Sequence, residues 1–365
     1  MRFSLDTEQR EFGRTLARLL AASDAPAAAR AWARGEYGPG RALCQRLGDA
    51  GVFALAVPEK HGGCGPLPVE IAVAFEELGH HAVPGPLVET VAAAILLGRL
   101  GGVGAAEEWL PRVSTGHALL SLAAPASDGY ALDAETADAV VVAGETEVRL
   151  WRGACGAAGP EPADGNARAC GVAGGQEPLD AVIGGGPGAG SSLDPVRRLS
   201  RPPRGGEPLA HGPAARAAVE EATLWAAFAT AAQALGVGQA LLDRSVEYAR
   251  QRRQFGVAIG SFQAVKHRLA DVLIGLEFAR PLVYGAAVAL AAAPERAAAD
   301  VAAAKVAAGE AGYAAARAAL QVHGAIGYTA EYDLSLWIGR ARALRCAWGT
   351  PGECRRRVLT EPFHK

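Results

Sequence analysis

The sequence has no excess of charge of either sign: 36 lysines and arginines face 38 aspartates and glutamates, a formal net charge of −2 over 365 residues. Nucleic acid is bound through a basic footprint, and the Arg-rich stretch at 340–357 is short and mixed with apolar residues, so no nucleic-acid partner is expected. No run approaches the roughly twenty uninterrupted apolar residues of a membrane span. The opening MRFSLDTEQREF is acidic rather than basic, so a membrane partner is not expected and a cytoplasmic location is. Cys44, Cys64, Cys155, Cys170, Cys346 and Cys354 are scattered, with no CxxC and no histidine at metal spacing; they read as reduced structural thiols. GGGPGAG at 184–190 lacks the GxGxxG spacing and opens no helix, which predicts a flexible loop rather than a dinucleotide fingerprint. His80 and His81 stand beside Glu76 and Glu77, but neighbouring residues on a helix point different ways, so no metal ligand set is expected.

What is present is length and apolar patterning. A chain of 365 residues exceeds one hydrophobic core, so two or three domains are expected, and 50 % hydrophobic residues favour a folded globule. Asp6 or Thr7 can cap a helix with the stripe Phe12, Leu16, Leu19 and Leu20. Helices are predicted over 40–56, from Val69 to Leu78, from Val88 to Leu100 and from Ala105 to Leu110, with VPEKHGGCGPL as a Pro/Gly loop. From Leu119 to Leu209 the short runs ALLSLAA, DAVVVAG, EVRLWRG and DAVIGG, separated by Gly, Pro and Asp, read as strands. The rest is Ala-rich and helical, with Pro294 separating a long helix from one over Arg296 to Val322 and a last helix from Glu331 to Trp348. The predicted class is α+β, mostly α: a helical domain at 1–113, a small β domain at 114–211 and a four-helix bundle at 212–365.

The chain turns on residues 248–271, YARQRRQFGVAIGSFQAVKHRLAD. Leu235, Leu242, Val246 and Ala249 share one helix face before it; Phe262, Val265, Leu269, Val272 and Leu276 repeat at helical spacing after it. Two long antiparallel helices follow from that pattern. Their turn gathers Arg252, Gln254, Phe255 and Gln263, a guanidinium fork, two amides and one aromatic face, which suit a pyrophosphate and its adenosine. A solvated helix end with cations near the C-terminal dipole is the plainer reading of the same residues.

This stretch resembles the acyl-CoA dehydrogenase family, whose hallmark is RxQFG followed by a Phe-Gln helix start; here it reads RRQFG, then SFQAVKHRLAD. QVHGAIGYTAEYDLSLWIGRARALRCAWGTPG at 321–352 is similar to the family's Gln-x-x-Gly-x-x-Gly-(Tyr/Phe) segment and final helix without a gap. The resemblance implies a helical N-terminal domain, a middle β domain, a C-terminal four-helix bundle, FAD as cofactor and an acyl-CoA substrate. It also implies that Gln321 and Gly324, with the RxQF residues, meet the ADP half of a neighbouring subunit's flavin, with Thr350 in the cofactor-binding set. Ala325 replaces one expected glycine.

The family's chemistry needs a carboxylate to take the α-proton of the thioester while the β-hydride goes to flavin N5. In most members that base is the Glu of a Tyr-Glu-Gly-Thr sequence; the match puts Ala347, Trp348, Gly349 and Thr350 there. Other members carry it on the first bundle helix, where Ala226 and Ala227 stand here. Glu220, Glu221, Glu331 and Glu353 are possible replacements, each more simply an exposed helix-end carboxylate. A missing general base costs about a hundred- to ten-thousandfold in rate. The family's distal Gln is Gly352, and neither its TEPxAGSD loop nor its Trp-x-(Ser/Thr) is found; APASDGYALD and Trp151-Arg-Gly-Ala stand there. Groups lent to a neighbour's flavin are kept and groups serving the chain's own site are lost. The implied function is a base-lacking subunit of a heterotetrameric α2β2 acyl-CoA dehydrogenase, similar to those acting on steroid side-chain CoA thioesters, inactive alone and completed by a Glu-bearing partner. A flavin-dependent oxygenase of the same fold, a non-catalytic structural relative and a homomeric dehydrogenase with a relocated base are the alternatives.

Overall fold

The computed structural model describes residues 5–102, 104–153, 189–190, 192–202, 205–293, 296–329 and 331–360. The DAVIGG run, most of GGGPGAG, Cys155, Cys170 and Pro294 lie outside the described residues.

Six helices come first: α1 (Thr7–Ala21), α2 (Ala25–Ala33), α3 (Gly38–Asp49), α4 (Pro68–His80), α5 (Leu87–Leu100) and α6 (Gly104–Ser114). Asp6 is the cap of α1. Its carboxylate accepts the Gln9 N–H at 2.8 Å while the Gln9 side chain accepts the Asp6 N–H at 3.1 Å, a reciprocal capping box. The buried stripe of α1 runs through Gly13, Leu16 and Leu20, with Phe12 and Leu19 at its margin. Gly13 lets α1 approach α4 closely: a Cβ there would meet Val73 at 3.0 Å.

The β region has β1 (Leu120–Ala123), β2 (Ala131–Leu132), β3 (Ala139–Ala143), β4 (Glu147–Arg152), β5 (Ala189–Gly190), β6 (Leu199–Ser200) and β7 (Glu207–His211). They form a four-stranded sheet in the order β1-β3-β4-β7 and a three-stranded sheet in the order β2-β6-β5. β1 and β3 are parallel and the other pairs antiparallel. The two-residue strands β2 and β6 are too short to carry alternation, and β7, EPLAH, lacks the β-branched run that marks β3. Thr90 of α5 ties the helical layer to this sheet: its hydroxyl donates to Leu120 O at 2.9 Å and accepts Leu120 N–H at 3.1 Å.

The C-terminal region opens with α7 (Pro213–Gln251), passes through the hairpin β8 (Arg253–Gln254) and β9 (Val257–Ala258), and continues with α8 (Gln263–Ala292), α9 (Ala298–His323), α10 (Leu334–Cys346) and α11 (Pro351–Thr360). Two expectations change here. The last predicted helix ends at Cys346, before Trp348, and α11 follows as a fifth helix that the Arg-rich sequence concealed. Phe262, placed on the packed stripe of α8, instead caps the helix and is exposed.

α7 is the central strut, packed on α4, α5, α8, α9 and α10. α4 and α7 cross at backbone contact: a Cβ on Gly79 would lie 2.1 Å from Gln233 O, and one on Gly236 would lie 1.9 Å from Glu76 O. α7 and α8 are both long and apolar enough by composition to cross a membrane; α7 is 94 % buried inside the fold over its most apolar window and α8 39 %. Arg340 of α10 is buried, pairing with Asp194 through Nε and donating through Nη1 to Val83 O at 3.1 Å. That one side chain joins the bundle, the β region and the α4–α5 turn.

Candidate functional site

The RRQFG turn is built by the backbone. α7 ends when Arg252 turns extended, and Arg253 and Gln254 then pair with Ala258 and Val257 across a two-residue turn, Phe255 (φ 52) and Gly256 (φ 82). Left-handed φ at both turn positions is what a tight hairpin with right-handed strand twist requires. The turn holds Phe255 out at 92 % exposure, its ring edge-on to Phe262 with centroids 6.2 Å apart. Arg252, Gln254 and Gln263 are exposed too. Gln254 donates only to its neighbour Arg253 O at 2.8 Å, and the Arg252 guanidinium and Gln263 amide have no partner among the described residues.

The second motif is brought to the same end of the bundle by aromatic packing. His323, the last residue of α9, is buried, bonded through Nδ1 to Ala319 O at 2.9 Å and stacked on Tyr248 of α7 with ring centroids 4.1 Å apart. Gln321 is exposed beside it, and Gly324 takes φ 67, with open space where a Cβ would be. The Tyr248–His323 stack is invisible in the sequence because the two residues lie on different helices.

Thr350 has a structural task at the head of α11. Its hydroxyl donates to Glu353 Oε2 at 2.7 Å and its N–H to the same oxygen at 2.9 Å, which holds the Glu353 carboxyl below the usual range. Glu353, considered as a replacement base, is therefore a helix cap. Ala226 and Ala227 are buried inside α7 and bring no polar group.

Trp348 lies between α10 and α11 at φ 56, 4 % exposed, and its indole N–H donates to Glu89 Oε1 at 3.0 Å. Glu89 sits on α5 at 2 % exposure, with Arg197 Nη2 at 3.8 Å. Lys305 of α9 is 1 % exposed and donates to Leu344 O (2.9 Å), Arg345 O (3.2 Å) and Gly349 O (3.2 Å), capping α10 and tethering the Trp348 segment. Burial pulls the Lys305 ammonium down to about 8.

A cleft of about 980 Å³ opens elsewhere, between the first turns of α7, the end of α5 and the β region, lined by Glu220, Glu221, Arg99, Arg216, Pro125 and Arg357 among others. Glu221 is held by Arg99 at 3.3 Å, whereas Glu220 is exposed. Glu331 is exposed at the entry to α10.

His80 and His81 do not diverge as neighbours on a helix are expected to. Their rings meet edge to face at 5.0 Å, and Glu77, His80 and His81 each offer a ligand atom within 4.8 Å of the others. The helix ends at His80, so His81 leaves the helical direction. His80 Nε2 is engaged with Asp243 Oδ2 at 3.1 Å and His81 Nδ1 with Glu77 O at 3.0 Å, which ties α4 to α7.

At the bundle end, the unspent Arg252 guanidinium, the exposed amides of Gln254 and Gln263 and the exposed Phe255 ring fit the polar and aromatic demands of FAD, with Arg252 suited to a pyrophosphate.

Comparison with known proteins gives the same placement. Residues 6–117 match the acyl-CoA dehydrogenase N-terminal domain and residues 216–361 the acyl-CoA dehydrogenase C-terminal domain. The chain is 32 % identical over 360 residues to acyl-CoA dehydrogenase IpdE2 of Mycobacterium tuberculosis, covering 97 % of each. Among solved structures it resembles the ChsE4-ChsE5 complex of Mycobacterium tuberculosis (TM-score 0.75, 24 % identity, 99 % of this chain and 98 % of that one). A variant of the Tcur3481-Tcur3483 steroid ACAD is also similar (TM-score 0.73, 22 % identity, 96 % of each chain). Since one relative aligns over nearly the whole of both chains and both terminal domains match, the chain belongs to the acyl-CoA dehydrogenase family, oxidoreductases with FAD as their cofactor.

Proposed function

We propose that this chain is the base-lacking subunit of a heterotetrameric acyl-CoA dehydrogenase, completing the FAD site of a homologous partner that carries the catalytic glutamate. The observation that carries the reading is Trp348: at the position matching the family's base there is a buried indole already committed to Glu89. Bound FAD supplies the acceptor for the β-hydride of an acyl-CoA. This chain contributes binding rather than proton transfer. Arg252 meets the pyrophosphate, Gln254, Gln263 and Gln321 supply amide donors and acceptors, Phe255 offers an aromatic face and Gly324 allows close approach. An indole N–H cannot take the α-proton, and Ala226 and Ala227 leave the alternative position equally without a base.

Assembly is supported by surface chemistry. α8 exposes Ile274, Phe278 and Leu282 along one stripe with Leu273 exposed a quarter-turn away, and Phe262, Leu320, Ile326 and Tyr328 add apolar surface around the bundle end. Exposed large apolar side chains clustered in this way are expected at a subunit contact. The ChsE4-ChsE5 complex and the Tcur3481-Tcur3483 steroid enzyme support a heteromer and a steroid-derived acyl-CoA as substrate. Among the described residues the free thiols Cys44, Cys64, Cys346 and Cys354 fit a cytoplasmic setting.

Flavin per chain tests the reading, measured by visible absorbance and native mass for the chain alone and co-expressed with a Glu-bearing homologue. The expected result is little flavin alone and a heterotetramer with half a flavin per chain, reduced further by Arg252→Ala. A full flavin on the isolated chain overturns it. Oxygen consumption with a reductase would then select the oxygenase reading.

A further inference from the structure

Trp348 is held more firmly than a residue that had merely lost a role would need to be. Its indole is buried, its N–H is spent on a carboxylate that is itself 2 % exposed, and the segment carrying it is tethered by buried Lys305 through Gly349 O. Glu89 Oε2 has no hydrogen-bond partner among the described residues, so the carboxylate is buried half-satisfied. An apolar residue at position 89 would avoid that cost, since an unpaired buried polar oxygen is unfavourable. What the carboxylate adds is direction: it aims the indole along one line into the helical layer. The open cleft lies apart from this pair; neither Trp348, Glu89 nor Arg197 is among its lining residues.

Resting on the base-lacking reading, we propose that Trp348 is a plug latched by Glu89 and Arg197, closing this chain's own acyl site. The space that takes an acyl chain in a catalytic subunit is filled here by the indole, leaving one acyl site for each pair of chains. Glu89 acts as a positioning residue through Trp348.

The full-length chain is titrated calorimetrically with octanoyl-CoA and, separately, with free indole. Wild type is expected to bind neither saturably. Trp348→Ala, which removes the plug, is expected to gain one equivalent of octanoyl-CoA, at least about tenfold tighter than any wild-type signal, with indole reporting only the cavity left by the ring. One octanoyl-CoA per wild-type chain overturns the proposal, as does a folded Trp348→Ala variant that gains indole alone or neither ligand. Should Trp348→Ala fail to fold, Trp348→Leu with octanoyl-CoA replaces it: saturable binding supports the plug and its absence overturns it. Flavin content reports on the base-lacking reading independently, so a chain that carries full flavin yet gains ligand on unplugging would sink that reading and keep the plug.

Discussion

At the scale of single residues, burial separates the carboxylates of this chain into different tasks. Asp133 is 1 % exposed at φ 53, accepts the Arg198 N–H at 3.3 Å through Oδ1 and leaves Oδ2 without a partner among the described residues. Burial pushes its carboxyl up to about 7, with the nearby Trp32 indole and then Arg197 only partly opposing. The unfolded carboxyl ionises near 3.8, so between there and about 7 the native state binds more protons than the unfolded state. Stability from this group is full below pH 3.8 and is lost as pH rises through 7. Asn at position 133 keeps the Oδ1 acceptor and does not titrate. The Tm of wild type relative to Asp133→Asn should therefore fall from pH 4 to pH 7 by on the order of a few degrees, read by calorimetry. A constant difference across that range would contradict the burial argument.

Residue identities also show what is legible and what is not. Arg252, Phe255 and Gln321 can be named because their motifs are contiguous; Glu89 cannot, since its role depends on Trp348, 259 positions away. Thr350 and Glu353 form a Thr-x-x-Glu capping pair whose spacing is readable, although the motif match alone gives each of them a different task.

At the scale of elements, the long helices follow their apolar periodicity, whereas the short strands and α11 do not. A helix over several turns repeats its pattern enough to be read; a two-residue strand exists only through its partner. The α4–α7 crossing makes this concrete. Gly236 reads as an ordinary helix glycine, yet the opposing backbone comes within 1.9 Å of where its Cβ would stand. Gly236→Ala should force the helices apart and cost about 1–3 kcal/mol in urea unfolding, with the m-value unchanged. A cost below a few tenths of a kcal/mol would mean that the crossing is looser than described.

For the whole molecule, the question is what meets α8. Phe278 is 74 % exposed and gains nothing from the chain's own core. Phe278→Glu should leave the isolated chain within about 0.5 kcal/mol of wild type, as exposed substitutions do, while weakening assembly with a homologous subunit. Sedimentation velocity on the mixture reads this directly. An unaltered heterotetramer would remove α8 from the interface.

The sequence by itself determined the family, the order of helical and β regions and the motif residues of the bundle end. Those features are set by neighbours a few positions apart, through helix period, turn stereochemistry and contiguous motifs. Only the tertiary structure decided that Trp348 is spent on Glu89 while Arg252 and Phe255 stand open to solvent. It also decided that Tyr248 and His323 lock two motifs to one end of the bundle. Burial and partnership are set by residues far apart in the chain, and a pairing across that distance leaves no period to read.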